Sequence, residues 1–201
     1  MMSLRRIFLL LLSLPCLISA QRNYLNLDVA AGVSSFSGLA LNTSLSYERK
    51  NNVFTLRYFY NQQIKSVQQL VENDEDNHVI WYGDRFRDVS LLYGRTYRKN
   101  KLTLSLSCGI GTYKYTQITL VNLRDPAAIR ALDDYEVSRK IYYGLGLASQ
   151  AEISGQICHR MSLGLSLASN VNKDKSILAV CAKLSFDIST AALRDFKNKA
   201  Q

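Results

Sequence analysis

The chain has 201 residues, a formal net charge of +9, 47% hydrophobic and 20% charged residues, 12 tyrosines and only 2 prolines. That length fits one domain, and a composition rich in Tyr and poor in Pro suits strands. Its 4 cysteines are scattered without pairing or metal-ligand spacing, which excludes a disulfide framework and leaves them as small apolar fillers.

Residues 1–20 place Arg5 and Arg6 ahead of the apolar run Ile7–Leu12 and close on Ile18-Ser19-Ala20, a small-x-small pattern. This reads as a secretory signal peptide cleaved before Gln21. The run is too short for a membrane helix, which needs about 20 residues. Pro15 stands where lipid attachment at Cys16 wants a small residue, which argues against lipidation. Removing these 20 residues from 201, and their two arginines from +9, leaves 181 residues at +7. No later stretch is long and apolar enough for a spanning helix, so the exported chain is either soluble or barrel-forming.

From residue 24 onward a two-residue alternation takes over. Eight segments carry it: Tyr24–Val33, Leu39–Arg49, Val53–Asn61, Asp88–Arg98, Leu102–Gly111, Tyr142–Ile153, Ile157–Ser169 and Ser176–Ile188. In the fifth, Leu102, Leu104, Leu106, Cys108 and Ile110 interleave with Thr103, Ser105, Ser107, Gly109 and Gly111. In the seventh, Met161, Leu163, Leu165 and Leu167 interleave with Ser162, Gly164, Ser166 and Ala168. Successive strand side chains point to opposite faces, so each segment has one greasy and one small polar face. The connections Lys50–Asn52, Lys99–Lys101 and Ser154–Gln156 are tight. Those at 62–87 and 112–141 are long, with shorter loops at Ser34–Gly38 and Asn170–Lys175 on the same side. Short turns on the side of the termini and long loops opposite are the asymmetry of bacterial outer-membrane barrels.

On these Leu/Ser-Gly strands, and on a last strand Leu178–Phe186 that ends with an aromatic on its apolar face, the sequence resembles the small eight-stranded OmpA/OmpX-type outer-membrane barrels of Gram-negative bacteria. The resemblance covers Tyr24 to Ile188. It implies an all-β fold, an eight-stranded antiparallel up-and-down transmembrane β-barrel in the cell outer membrane. The expected organisation is a signal peptide over 1–20, a barrel domain over 21–188 and a short basic periplasmic tail over 189–201.

The polar parity decides which face is outside. Soluble barrels turn large apolar residues inward and long charged ones outward. Here the polar parity is small, as in Asn42, Ser44 and Ser46, or Gly144, Gly146 and Ala148, which suits the crowded interior of eight strands. Its charges are Asp28, Glu48, Arg57, Asp88, Arg160, Lys183 and Asp187, a mixed-sign set expected to pair inside a sealed lumen. Closure of the first strand on the last brings Asp28 level with Lys183, and a half-made buried pair would cost several kcal/mol. Arg95 breaks the pattern by sharing the parity of Leu91 and Tyr93; it either snorkels to an interface or marks a bulge. Tyr47, Tyr58, Tyr60, Tyr93, Tyr97 and Tyr143 supply an interfacial girdle.

Little else points to chemistry. His78 lies in a long loop near Asp74, Glu75, Asp76 and Asp84, where an acid/base or metal cluster is conceivable, but a solvated acidic loop is the plainer reading. His159, by a turn, lies at the opposite end. Asp125-Pro126 opens a short helix to Leu132, a cap over the mouth or merely a tidy loop. Basic residues at Arg49, Lys50, Arg98, Lys99, Lys101, Arg160, Arg194, Lys197 and Lys199 suit anionic headgroups of outer-membrane lipids, and nucleic acid is not an expected partner. No catalytic, cofactor-binding or metal residue is expected. The leading expectation is a non-enzymatic barrel with a packed lumen whose loops 62–87 and 112–141 bind an extracellular ligand or surface partner. Alternatives are an outer-membrane enzyme acting on lipid or peptide through its loops, a narrow pore, and a soluble periplasmic ligand-binding barrel.

Overall fold

The computed structural model describes residues 23–69, 78–122, 135–158 and 160–189. The signal segment 1–20, the acidic residues Asp74–Asp76, the expected helix at 125–132, His159 and the tail from residue 190 lie outside them.

Among the described residues ten strands follow in chain order: β1 (Asn23–Ser34), β2 (Gly38–Arg49), β3 (Asn52–Gln63), β4 (Lys65–Gln69), β5 (His78–Tyr82), β6 (Arg85–Lys99), β7 (Leu102–Asn122), β8 (Tyr135–Cys158), β9 (Met161–Val171) and β10 (Ile177–Asp187). Eight of them close into an antiparallel barrel in the order β1-β10-β9-β8-β7-β6-β3-β2, while β4 and β5 form a separate two-stranded ribbon. Closure is made by β1 and β10, in register from Asn26 opposite Asp187 to Ser34 opposite Ala179. Apart from that seam, every barrel strand pairs with its neighbours along the chain, an up-and-down meander.

The leucine parity faces outward. Leu106 is 68% exposed and Leu145 72%, while Asp28, Asn42, Ser90 and Ser166 on the other parity are buried. This is the membrane arrangement and the reverse of a soluble barrel, whose core would be the leucines. Exposed Phe54, Tyr93 and Tyr97 ring the turn end of the belt, and Tyr58 and Tyr143 its loop end, where amphipathic rings match a headgroup region. Arg95 points outward with no register slip in β6. It sits opposite Asn52 on β3 and Leu106 on β7, so of the two expectations the bulge is excluded and an outward side chain free to snorkel is left. The tight turns use left-handed residues at Lys50 (φ 58°) and Asn100 (φ 55°); Asn tolerates this region well.

Three expectations about connections are corrected. The span 112–141 is mostly strand, because the β7–β8 pairing continues outward until Asn122 faces Tyr135. Likewise 62–87 holds the β4–β5 ribbon, with Lys65 opposite Tyr82. The sixth turn is not at Ser154–Gln156. Those residues stay in β8, where Gly155 pairs with Leu102 and the Gln156 N–H donates to the Lys101 carbonyl at 2.8 Å, and the chain reverses after Cys158, past an irregularity at Gln156/Cys158. The neighbouring strand still offers partners there, and an unpaired strand end is costly.

The outward belt yields a depth test. Leu91→Arg, midway along β6 between outward Arg95 and Arg87, is expected to lower stability by about 2–4 kcal/mol, whereas Tyr97→Arg near the turns costs about 0–1 kcal/mol. Denaturant titration of the barrel in phospholipid vesicles reads the difference.

Candidate functional site: the barrel interior

Inward side chains divide the interior into three levels. At the turn end lies a polar vestibule of about 500 Å³ lined by Asp28, Glu48, Arg98, Glu152, Lys183 and others. The Lys183 ammonium donates to Glu152 Oε2 at 2.7 Å and lies 3.3 Å from Asp28 Oδ2. Asp28 Oδ2 also accepts from the Ser44 hydroxyl at 3.1 Å and the Ser46 hydroxyl at 3.4 Å. Gln150 Nε2 donates to Glu152 Oε1 at 2.6 Å. Lys183 reaches across β9 to β8 because its register partner is Gly164, which itself faces Ser154. Arg98 forks onto Glu48, with Nε 3.1 Å from Oε1 and Nη2 2.5 Å from Oε2, while its guanidinium lies 4.2 Å above the Tyr24 ring. Arg160 and Asp187 line the vestibule mouth, where the Asp187 N–H donates to the Arg160 carbonyl and Asp187 Oδ1 accepts from the Ser189 N–H.

At mid-height Arg57 crosses the lumen. Its side chain is fully buried, with Nη2 2.7 Å from Asp88 Oδ2 and Nε 3.1 Å from Ser90 Oγ. It also donates to main-chain carbonyls on the far wall, Ser149 at 2.8 Å and Ser169 at 3.1 Å. A cation rooted in β3 is thus held by β6, β8 and β9 at once. Gly111 makes the space, since a Cβ there would stand 2.3 Å from Asp88 Oδ1.

Above Arg57 the interior turns aromatic. Phe59, Phe86 and Tyr113 form a chain of rings with centroids 6.3 and 5.7 Å apart, and Tyr115 stacks on Tyr142 at 5.7 Å. Gly144 admits this stack, because a Cβ there would lie 2.7 Å from the Tyr113 hydroxyl. The Tyr113 hydroxyl bonds to Asp174 of the β9–β10 loop, and Lys175 of that loop lies 3.9 Å over the Phe36 ring. Asp84 accepts from the Tyr115 hydroxyl at 2.8 Å and the Ile118 N–H at 2.9 Å, so it belongs to the barrel mouth and not to a surface cluster with His78. Burial and the Asp84 carboxylate push the Tyr115 phenol, beyond the apolar belt, well above its ordinary value.

Of the seven charges read from the polar parity, Asp28 and Lys183 come together, as do Arg57 and Asp88. Glu48 is paired with Arg98, a residue the sequence assigned to lipid contact. Arg98 shares the parity of Asp88, and Glu152 that of Ala148, so both were legible as interior groups by counting in twos. The aromatic plug was signalled by Phe59, Phe86, Tyr113, Tyr115 and Tyr142, which all stand on that same parity. Among the described residues no group of three or more His, Cys, Asp or Glu is arranged to hold a metal. Cys108 and Cys158 are exposed while Cys181 is buried. The outer wall carries a larger hollow of about 740 Å³ around Ala151, between Leu104, Leu106, Leu165 and Leu167, with Arg95 also in its lining; it is mostly apolar and faces lipid.

Removing one partner of the mid-lumen pair strands a buried charge. Arg57→Met is expected to lower stability by about 3–5 kcal/mol, and Arg57→Met with Asp88→Leu to recover most of that loss. Equilibrium unfolding in detergent checks both. Because the fold raises the Tyr115 pKa, its bond to Asp84 contributes fully below the unfolded tyrosine range and is lost as pH rises past about 10. Tyr115→Phe is expected to flatten that alkaline fall, read as thermal midpoint against pH.

No protein-family model and no curated protein sequence matches the chain. Its structure is similar to that of Neisserial surface protein A, with 12% identity and a TM-score of 0.54 over 83% of this chain and 97% of that one. It is also similar to a major outer membrane protein from Thermus thermophilus, with 8% identity and a TM-score of 0.55 over 84% of this chain and all of the other. At such identities the likeness is one of fold, and the fold is the closed eight-stranded transmembrane β-barrel.

Proposed function

We propose that the protein is a non-enzymatic outer-membrane barrel, exported through a signal peptide over 1–20, whose blocked interior serves stability and whose projections at 62–87 and 112–141 make the surface contacts. On this reading the turn end and the basic tail at 189–201 face the periplasm, and the β4–β5 and β7–β8 ribbons stand outside the cell. Their role is surface binding, adhesion or envelope support.

The observation that carries the reading is the inside-out wall: leucines exposed around the belt, buried polar residues within, and long extensions at one end only. A contiguous apolar belt of this kind is not sustained in water. The closed interior is supported by Arg57, whose bonds to Asp88 and to the carbonyls of Ser149 and Ser169 cross the lumen and leave the vestibule a blind cup.

Two measurements test it. Extracted from the outer-membrane fraction, the protein is expected to run faster unheated than boiled on a gel and to give no conductance steps in planar bilayers. Recovery from the soluble periplasm would overturn the membrane reading, and discrete conductance steps would overturn the blocked interior.

A further inference from the structure

The outer wall holds a second charged feature, one that faces lipid. At the loop end Arg85 and Arg87 of β6, Lys114 of β7 and Arg139 of β8 line a cleft of about 200 Å³ together with Ile118 and Ile141. By alternation these side chains point away from the lumen. Arg87 and Lys114 are direct register partners, Arg85 faces Thr116, and Arg139 faces Ile118.

Like charges directly opposite on neighbouring strands repel, so this placement costs stability unless something anionic sits between them. No described residue forms an ion pair with any of the four. The nearest carboxylates in sequence, Asp84 and Asp88, are turned inward, where Asp84 accepts from Tyr115 and Asp88 pairs with Arg57. Arg87 and Lys114 rest on the loop-end aromatic ring instead, 5.7 Å from the Tyr60 centroid and 5.4 Å from that of Tyr143. Inside the barrel the described pattern is the opposite, each of Arg57, Arg98 and Lys183 having its carboxylate.

We infer that this cleft seats the phosphorylated headgroup of a lipid in the loop-side leaflet. The cleft opens sideways at the upper edge of the belt, immediately above outward Val89 and Leu145. A lipid phosphate placed there accepts from the guanidinium groups while its acyl chains lie along that wall. A cleft with four cations fits a headgroup of more than one negative charge. This rests on the membrane-spanning reading of the barrel.

The test uses the full chain folded in a nonionic detergent, with diphosphoryl lipid A as probe and native mass spectrometry as readout. Arg85→Gln/Arg87→Gln/Arg139→Gln is expected to weaken retention of the probe by about tenfold or more, as loss of several headgroup contacts implies. Lys50→Gln/Lys99→Gln, at the turn end, is expected to leave retention unchanged, and the single Arg139→Gln, in the ribbon, to move it in the same direction by less. Equal retention by the wild type and the triple variant would overturn the inference, as would displacement of the probe by millimolar inorganic phosphate, which would make the site one for a free anion. The gel shift on heating reports folding separately. Its absence in the wild type would remove the membrane reading and this inference together, whereas a normal shift with unaltered lipid retention removes only the inference.

Discussion

Everything in this structure depends on the pairing of β1 with β10. In hydrocarbon no water is present to take up an unpaired N–H or C=O, so a sheet that crosses a membrane must have no edge. The seam from Asn26–Asp187 to Ser34–Ala179 removes the last edge. Closing at eight strands then fixes the interior width, which is only enough for side chains to fill. That single limit explains the glycines and serines on the inner parity and the need for each large interior group to have a gap opposite it, as Asp88 has at Gly111 and Tyr113 at Gly144.

The same narrowness governs the interior electrostatics. The mid-lumen charges Arg57 and Asp88 are far from water, and each interior charge finds its counter-charge within reach of one or two strands. Arg57 finds Asp88 on the adjoining β6 and Lys183 finds Glu152 by passing over Gly164, while the Arg57 bonds to the Ser149 and Ser169 carbonyls and the Lys183–Glu152 pair brace strands that share no ladder. The two ends differ in kind. The turn end is a wet cup of balanced charge, and the loop end is closed by stacked rings and a loop tied through Asn172 to Asn170 at 2.8 Å.

By itself the sequence determined the barrel: the number of strands, the face each side chain takes, the shared end of the tight turns and the identity of most interior charges. These follow from a strand period of two, which a membrane on one side and a packed lumen on the other impose without relief, so that Leu102 to Gly111 can be assigned by counting. Where the membrane ends, so does that rule. Lys114 and Thr116 interrupt the greasy parity, which returns only at Ile118 and Leu120, and the pairing of 117–122 with 135–140 was decided by a neighbouring strand that continues alongside. The sixth turn was moved from Gly155 to beyond Cys158 for the same reason. Which interior charges meet was likewise settled by register and by the curvature of the closed sheet. Those bring Glu152 to Lys183, and Arg98 to Glu48, across distances along the chain that no local pattern encodes.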